Sequence, residues 1–181
     1  MAYTITDHEA GFLPIGNIDS GVLTASATST GSTTRIPSPP LVLGQVVKAF
    51  DPTYGMGEFI LLAGVASTAI GSLVTYNTTS YTTTLCPVTA NLGQPVAVAM
   101  AANTAATTWS WYQIEGVAVV AKSTGLGLAS NVAIAVNSIG KVGTNASGKQ
   151  ILGARTANST VSATTTVQLI LNRPHLQGRV T

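Results

Sequence analysis

The chain has 181 residues, with eight Lys or Arg against six Asp or Glu and a formal charge of +2. Only 8% of its residues are charged, against roughly a quarter in an ordinary soluble domain. No run approaches the roughly 20 apolar residues of a membrane-spanning helix, and the cations are scattered where phosphate contacts need clusters, so neither membrane nor nucleic acid is expected as a partner. The lone Cys86 leaves no intrachain disulfide framework and no Cys-rich zinc site. Met1-Ala2-Tyr3-Thr4-Ile5-Thr6-Asp7 lacks a basic region leading into an apolar core, so no secretory signal is expected.

Residues 1–40 read as an extended arm. The stretch from Gly21 to Thr34 is mostly Thr, Ser, Ala and Gly, with only Val22 and Leu23 larger and apolar, and has no helical period. It leads into Ile36-Pro37-Ser38-Pro39-Pro40, where proline holds the backbone extended. Such a segment cannot bury a core of its own. Phe12, Leu13, Ile15 and Ile18, upstream of this linker, are candidate interface anchors by which the arm would lie across a partner.

From residue 41 to 181 the pattern is β. Strands are predicted at Gln45–Phe50, Glu58–Val65, Leu73–Tyr76, Tyr81–Leu85, Pro95–Met100, Trp111–Val120, Asn131–Val136 and Thr166–Leu171. Glu58–Val65 is apolar on both faces, the mark of a strand covered on both sides. Asn77-Thr78-Thr79-Ser80 reads as the turn of a hairpin. The alanine-rich Ala99–Thr108 is the one helical candidate, and its threonines favour a loop. Short strands with Gly and Asn turns every ten residues or so point to an all-β body, a compact barrel or sandwich.

Chemistry-bearing residues are few. His8 between Asp7 and Glu9 is a possible metal cluster, but the second histidine, His175, lies near the other terminus. Gly125-Leu126-Gly127 lacks the rest of a phosphate-loop fingerprint and reads as a turn. Asp51, Glu58 and Glu115 are placed at strand ends, facing solvent, and Cys86 before Pro87 reads as a small buried hydrophobe. The sequons at Asn77, Asn145 and Asn158 are expected by chance in a chain this rich in Ser and Thr. No catalytic residue, cofactor site or metal site is expected.

Two features point elsewhere. Between Glu58 and Glu115 there is no Asp, Glu, Lys, Arg or His, and a surface of that composition costs little to desolvate, so it suits assembly. Trp109, Trp111 and Tyr112 form an aromatic cluster, with both tryptophans on one strand face. They read as core filling among small residues, as candidate interface anchors, or as a glycan platform.

The run from Gly44 to Thr68, with Asp51-Pro52-Thr53-Tyr54-Gly55-Met56-Gly57-Glu58 at its heart, resembles small head proteins of tailed bacteriophages. Pro95–Met100, Trp111–Gly116 and Asn172-Arg173-Pro174-His175 fit the same pattern, so the likeness runs from about residue 44 to 175. The resemblance implies a non-enzymatic capsid decoration or cement protein on the virion surface, made in the host cytoplasm. Its partners would be the major capsid protein and copies of itself, a homotrimer in preference to a dimer. The alternative expectation is a tail-fibre or adhesin module that binds host-surface glycans through the tryptophans.

Overall fold

Threonine and valine, whose branched side chains suit a pleated surface, recur through a chain whose computed structural model is all-β. The structure describes residues 4–5, 23–24, 42–106 and 108–179. Its strands are β1 (Thr4–Ile5), β2 (Leu23–Thr24), β3 (Val46–Asp51), β4 (Gly55–Ala63), β5 (Leu73–Tyr76) and β6 (Thr83–Leu85). They continue with β7 (Val96–Ala99), β8 (Thr108–Ala121), β9 (Ala133–Ser138), β10 (Lys141–Thr144), β11 (Gln150–Thr156) and β12 (Thr166–Leu176). Among the described residues there is no helix, and residues 100–106, between β7 and β8, form a loop.

One sheet runs β1-β3-β4-β8-β12-β11-β9-β10, with β7, β5 and β6 branching from β8. The 14-residue β8 organises it. One edge of β8 pairs with β4, while β2, β7 and β12 take the other edge in succession. Backbone bonds from Leu73 N to Gly140 O and from Gly140 N to Cys86 O tie the β9–β10 turn back to β5 and β6. The sheet therefore curls into a half-barrel around its main core, which includes Val98, Val120, Ile134, Val136, Leu169 and Leu171.

Two smaller clusters lie on opposite faces of the β3–β4–β8 region. Phe59, Leu61 and Trp111 pack with Val47, Ala49 and Met100 on one face, and Ile60, Leu62 and Tyr112 pack with Val74, Ala97 and Ala99 on the other. This is the two-sided burial expected of Glu58–Val65. Each fully buried large apolar side chain contributes about 1.5–3 kcal/mol, against about 0–1 kcal/mol for an exposed ion pair, so the core holds the fold.

The predicted hairpin around Asn77 is present. Tyr76 pairs with Thr83, and Asn77 Oδ1 accepts from the Thr79 and Ser80 amides at 2.7 and 3.0 Å. Asp51 Oδ1 likewise accepts from the Thr53 and Tyr54 amides in the β3–β4 turn. The ammonium of Lys122 is buried and donates to two carbonyls, Ser123 O at 3.2 Å and Leu126 O at 2.5 Å.

Two pieces of the first forty residues are strands of the chain's own sheet. Thr4 and Ile5 pair with Phe50 and Ala49 on β3, and Leu23 and Thr24 pair with Trp109 and Thr108 on β8. The candidate anchors Phe12, Leu13, Ile15 and Ile18 lie outside the described residues.

Candidate functional site

The charged residues of the β3–β4–β8 region are not spread around its rim. Register places Lys48, Glu58, Glu115 and Asn172 in one row across β3, β4, β8 and β12. The expectation that Glu58 and Glu115 stand at strand ends is corrected here. Glu58 is the fourth residue of β4 and Glu115 the eighth of β8, directly opposite one another. Asp51 does end its strand, and its carboxylate is spent on the turn amides.

Two irregularities build this row. The register of β4 against β8 slips between Glu58 and Phe59, so Ile114 is an extra residue in β8. Such a bulge bends a strand and re-aims its side chains. The buried Gln113 holds it in place, its Nε2 donating to Glu115 O and Val117 O, each at 3.0 Å. Gly116 follows at φ +92°, and a Cβ there would lie 2.4 Å from Met56 O, so only glycine allows the approach of β4.

The second irregularity is in β12. Its register against β11 slips between Leu152 and Ala154, where Gly153 faces the segment Asn172-Arg173-Pro174. Pro174 has no amide to give the ladder, and Arg173 takes φ 43°, a left-handed conformation rare for a side-chain-bearing residue. The strained turn aims Arg173 at the carboxylates. Arg173 Nη2 donates to Glu58 Oε2 at 2.7 Å and its Nε lies 3.9 Å from Glu115 Oε2, while Lys48 Nζ is 3.8 Å from Glu58 Oε1.

Burial differs across the cluster. The Glu58 side chain is 14% exposed, whereas Glu115, Lys48 and Arg173 are 46%, 58% and 65% exposed. The hydrogen bond to Glu58 and the attraction of its charge push the Arg173 guanidinium above its ordinary range. Tyr76 adjoins it, its phenol raised by burial and partly relieved by the Arg173 charge. Beside the row the β3–β4 hairpin leaves Phe50 and Met56 as exposed register partners, and Ile170 is exposed on β12. A groove of about 390 Å³ opens there, lined by Lys48, Met56, Glu58 and Glu115. Exposed apolar anchors beside mutually neutralised charges make a surface suited to contact with another macromolecule.

The aromatic cluster lies elsewhere. Trp111 and Tyr112 are buried in the chain's own core, on opposite faces of β8, and Trp109 is partly buried against the Trp111 cluster. As interface anchors or a glycan platform Trp111 and Tyr112 are therefore corrected to core residues: a barrel of small side chains needs large ones to fill it. The Tyr112 hydroxyl sits in a polar knot where Asn103 Nδ2 donates to it at 3.0 Å and to Ser110 Oγ at 2.6 Å, and Thr108 Oγ1 donates to Asn103 Oδ1 at 2.9 Å. Burial raises the Tyr112 phenol, and its hydrogen bonds with Ser110, Thr83 and Asn103 partly offset this.

Cys86 is buried, and desolvation pushes its thiol up to about 12, so it is inert as a nucleophile. Among the described residues no group of three or more His, Cys, Asp or Glu is placed to hold a metal ion. His8 with Asp7 and Glu9 lies outside them. Gly125 adopts φ +79° in the turn expected for Gly125-Leu126-Gly127. No protein-family model and no curated protein matches the chain.

Proposed function

We propose that the chain is a capsid decoration protein that binds the outside of a bacteriophage head and ties neighbouring major capsid subunits together. The observation that carries this reading is the outer face of β3, β4, β8 and β12. There Phe50, Met56 and Ile170 stand exposed around a charge cluster that is already neutralised from within. A contact made on such a face buries apolar area without stranding a charge. The charge-free run between Glu58 and Glu115 extends the same economy over much of the body. The likeness of residues 44 to 175 to phage head proteins, read from the sequence, supports a capsid as the assembly.

Cementing a shell requires no proton transfer or bound cofactor. It requires a stiff module repeated at many lattice positions, where modest affinities multiply through valency. A half-barrel with a buried core and strands that cross-brace at β8 supplies the stiffness. Burial of Trp111 and Tyr112 leaves only the partly buried Trp109 of the three aromatics to support the glycan-binding alternative.

The test is stoichiometry. Quantitative mass spectrometry of purified virions should find this chain at a fixed ratio to the major capsid protein, on the order of one copy per few capsid subunits. Absence from virions, or a handful of copies at the tail, would overturn the reading.

A further inference from the structure

The charges of the chain are divided unevenly along it. From Gly116 to the last residue the sequence holds Lys122, Lys141, Lys149, Arg155, Arg173 and Arg179, and no Asp or Glu. Lys122 is satisfied internally by carbonyls, and Arg173 by Glu58 and Glu115. Arg155 is different. It is exposed on β11 and, among the described residues, has no carboxylate within ion-pair distance.

Arg155 stands at the rim of a groove. Register pairs it with the exposed Ile170, and Asn172 follows two residues further along β12 on the same face. Gly153 contributes no side chain opposite the β12 bulge, which leaves a depression of about 380 Å³ lined by Gly153, Ala154, Arg155, Ile170 and Asn172. A Cβ at Gly153 would come within 2.5 Å of Asn172 O, so the depression is fixed by the backbone. One guanidinium, one amide side chain and one apolar wall match a carboxylate on a short aliphatic stem: the guanidinium takes the charge in a bidentate pair and the wall takes the methylenes.

We propose that this groove receives an acidic side chain, Asp or Glu, from an extended segment of a partner protein. The occupant follows from charge complementarity, since residues 116–181 hold no Asp or Glu and, among the described residues, no carboxylate pairs with Arg155. The inference rests on the decoration reading only in naming the partner as a shell protein; the groove and its ligand class stand on their own geometry.

The probe is a blocked hexapeptide, Gly-Leu-Glu-Glu-Leu-Gly, titrated into the uniformly labelled full chain and followed by amide chemical shifts. Saturable shifts are expected at Gly153, Ala154, Arg155, Ile170 and Asn172. The affinity should fall at least about fivefold in Arg155→Ala and more steeply in Arg155→Glu, with partial retention in Arg155→Lys, since lysine keeps the charge and loses the fork. Amide spectra of the variants away from the groove should be unchanged. Equal binding of the peptide with Gln in place of Glu would overturn the proposal, as would non-saturating shifts spread over Lys141, Lys149 and Arg179. Decoration of purified particles then separates the two readings. If the peptide binds at Arg155 but Arg155→Glu fills particles at wild-type copy number, the groove stands and its use in shell binding falls.

Discussion

Arg173 Nη2 donates to Glu58 Oε2 at 2.7 Å across 115 residues of chain, joining β12 to β4 over the top of β8. The bond exists because two bulges bring its partners together, and it neutralises a carboxylate that lies opposite another carboxylate. Removing Arg173 leaves only Lys48, 3.8 Å from Glu58, to offset the facing like charges of Glu58 and Glu115, an arrangement that destabilises a sheet. The arginine is largely exposed, so the expected cost is modest. A double-mutant cycle of Arg173→Ala with Glu58→Gln, read by urea unfolding, should give a coupling of about 0.5–1 kcal/mol that shrinks in 1 M NaCl. A coupling near zero at low salt would mean that the bulges hold the geometry unaided.

The bulge in β8 makes its own demand on the chain. Gly116→Ala would place a methyl against Met56 O at 2.4 Å in a left-handed conformation, whereas Gly125, at a similar φ, has nothing within 4 Å of its Cβ position. Gly125→Ala should cost only the conformational penalty, about 1–2 kcal/mol. Gly116→Ala should cost about 3 kcal/mol or more, because backbone must move as well. Paired thermal melts of the two variants check the order, and equal losses would contradict the close approach of β4 and β8.

Trp111 tests the reassignment of the aromatic cluster. It is 1% exposed, and its Nε1 has no hydrogen-bond partner among the described residues. Trp111→Ala should cost about 3–5 kcal/mol as a large-to-small core change. Trp111→Phe should be much milder, since it removes an unsatisfied donor along with some volume. Denaturant unfolding monitored by circular dichroism distinguishes these outcomes. A Trp111→Ala protein as stable as wild type would return the residue to the surface.

The strands legible in the sequence were those whose alternation or two-sided apolarity is unbroken: Glu58–Val65, Leu73–Tyr76, Pro95–Met100 and Trp111–Val120 all fall on real strands. Strands β10 and β11 escaped because Gly143 and Gly153 interrupt their patterns, and glycine in a strand reads as a turn. The sequence pattern marks β12 only as Thr166–Leu171, since Asn172-Arg173-Pro174 breaks the β-favouring run; in the fold the strand continues to Leu176 through a bulge. The charge cluster was hidden for the same reason. Nothing local to Glu58, Glu115 or Arg173 marks them as neighbours, since their meeting depends on the register of β4, β8 and β12. The one available signal was a proline inside an otherwise β-favouring run, which is itself a bulge signature.

Alkaline pH should destabilise the fold through its buried acids. Burial raises Cys86 from 9.0 to about 12 and also raises Tyr112 and Tyr76 above 10.0. For each group the folded chain holds its proton at pH values where the unfolded chain has released it, so the unfolded state binds fewer protons and stability falls as pH rises. The contribution of Cys86 is whole below about pH 9 and is lost progressively between about 9 and about 12. The slope is at most about 1.4 kcal/mol per pH unit for one group. Urea unfolding at intervals from pH 8 to 11 should therefore show stability flat at first and then declining, and Cys86→Ala should decline less steeply than wild type. Thiol labelling gives a second reading: with the thiol buried and protonated, modification of Cys86 at pH 8 should proceed only as fast as the chain opens. Rapid labelling of the folded protein, with an unchanged slope in the variant, would show that Cys86 is open to solvent and would remove the thiol from the account of alkaline instability.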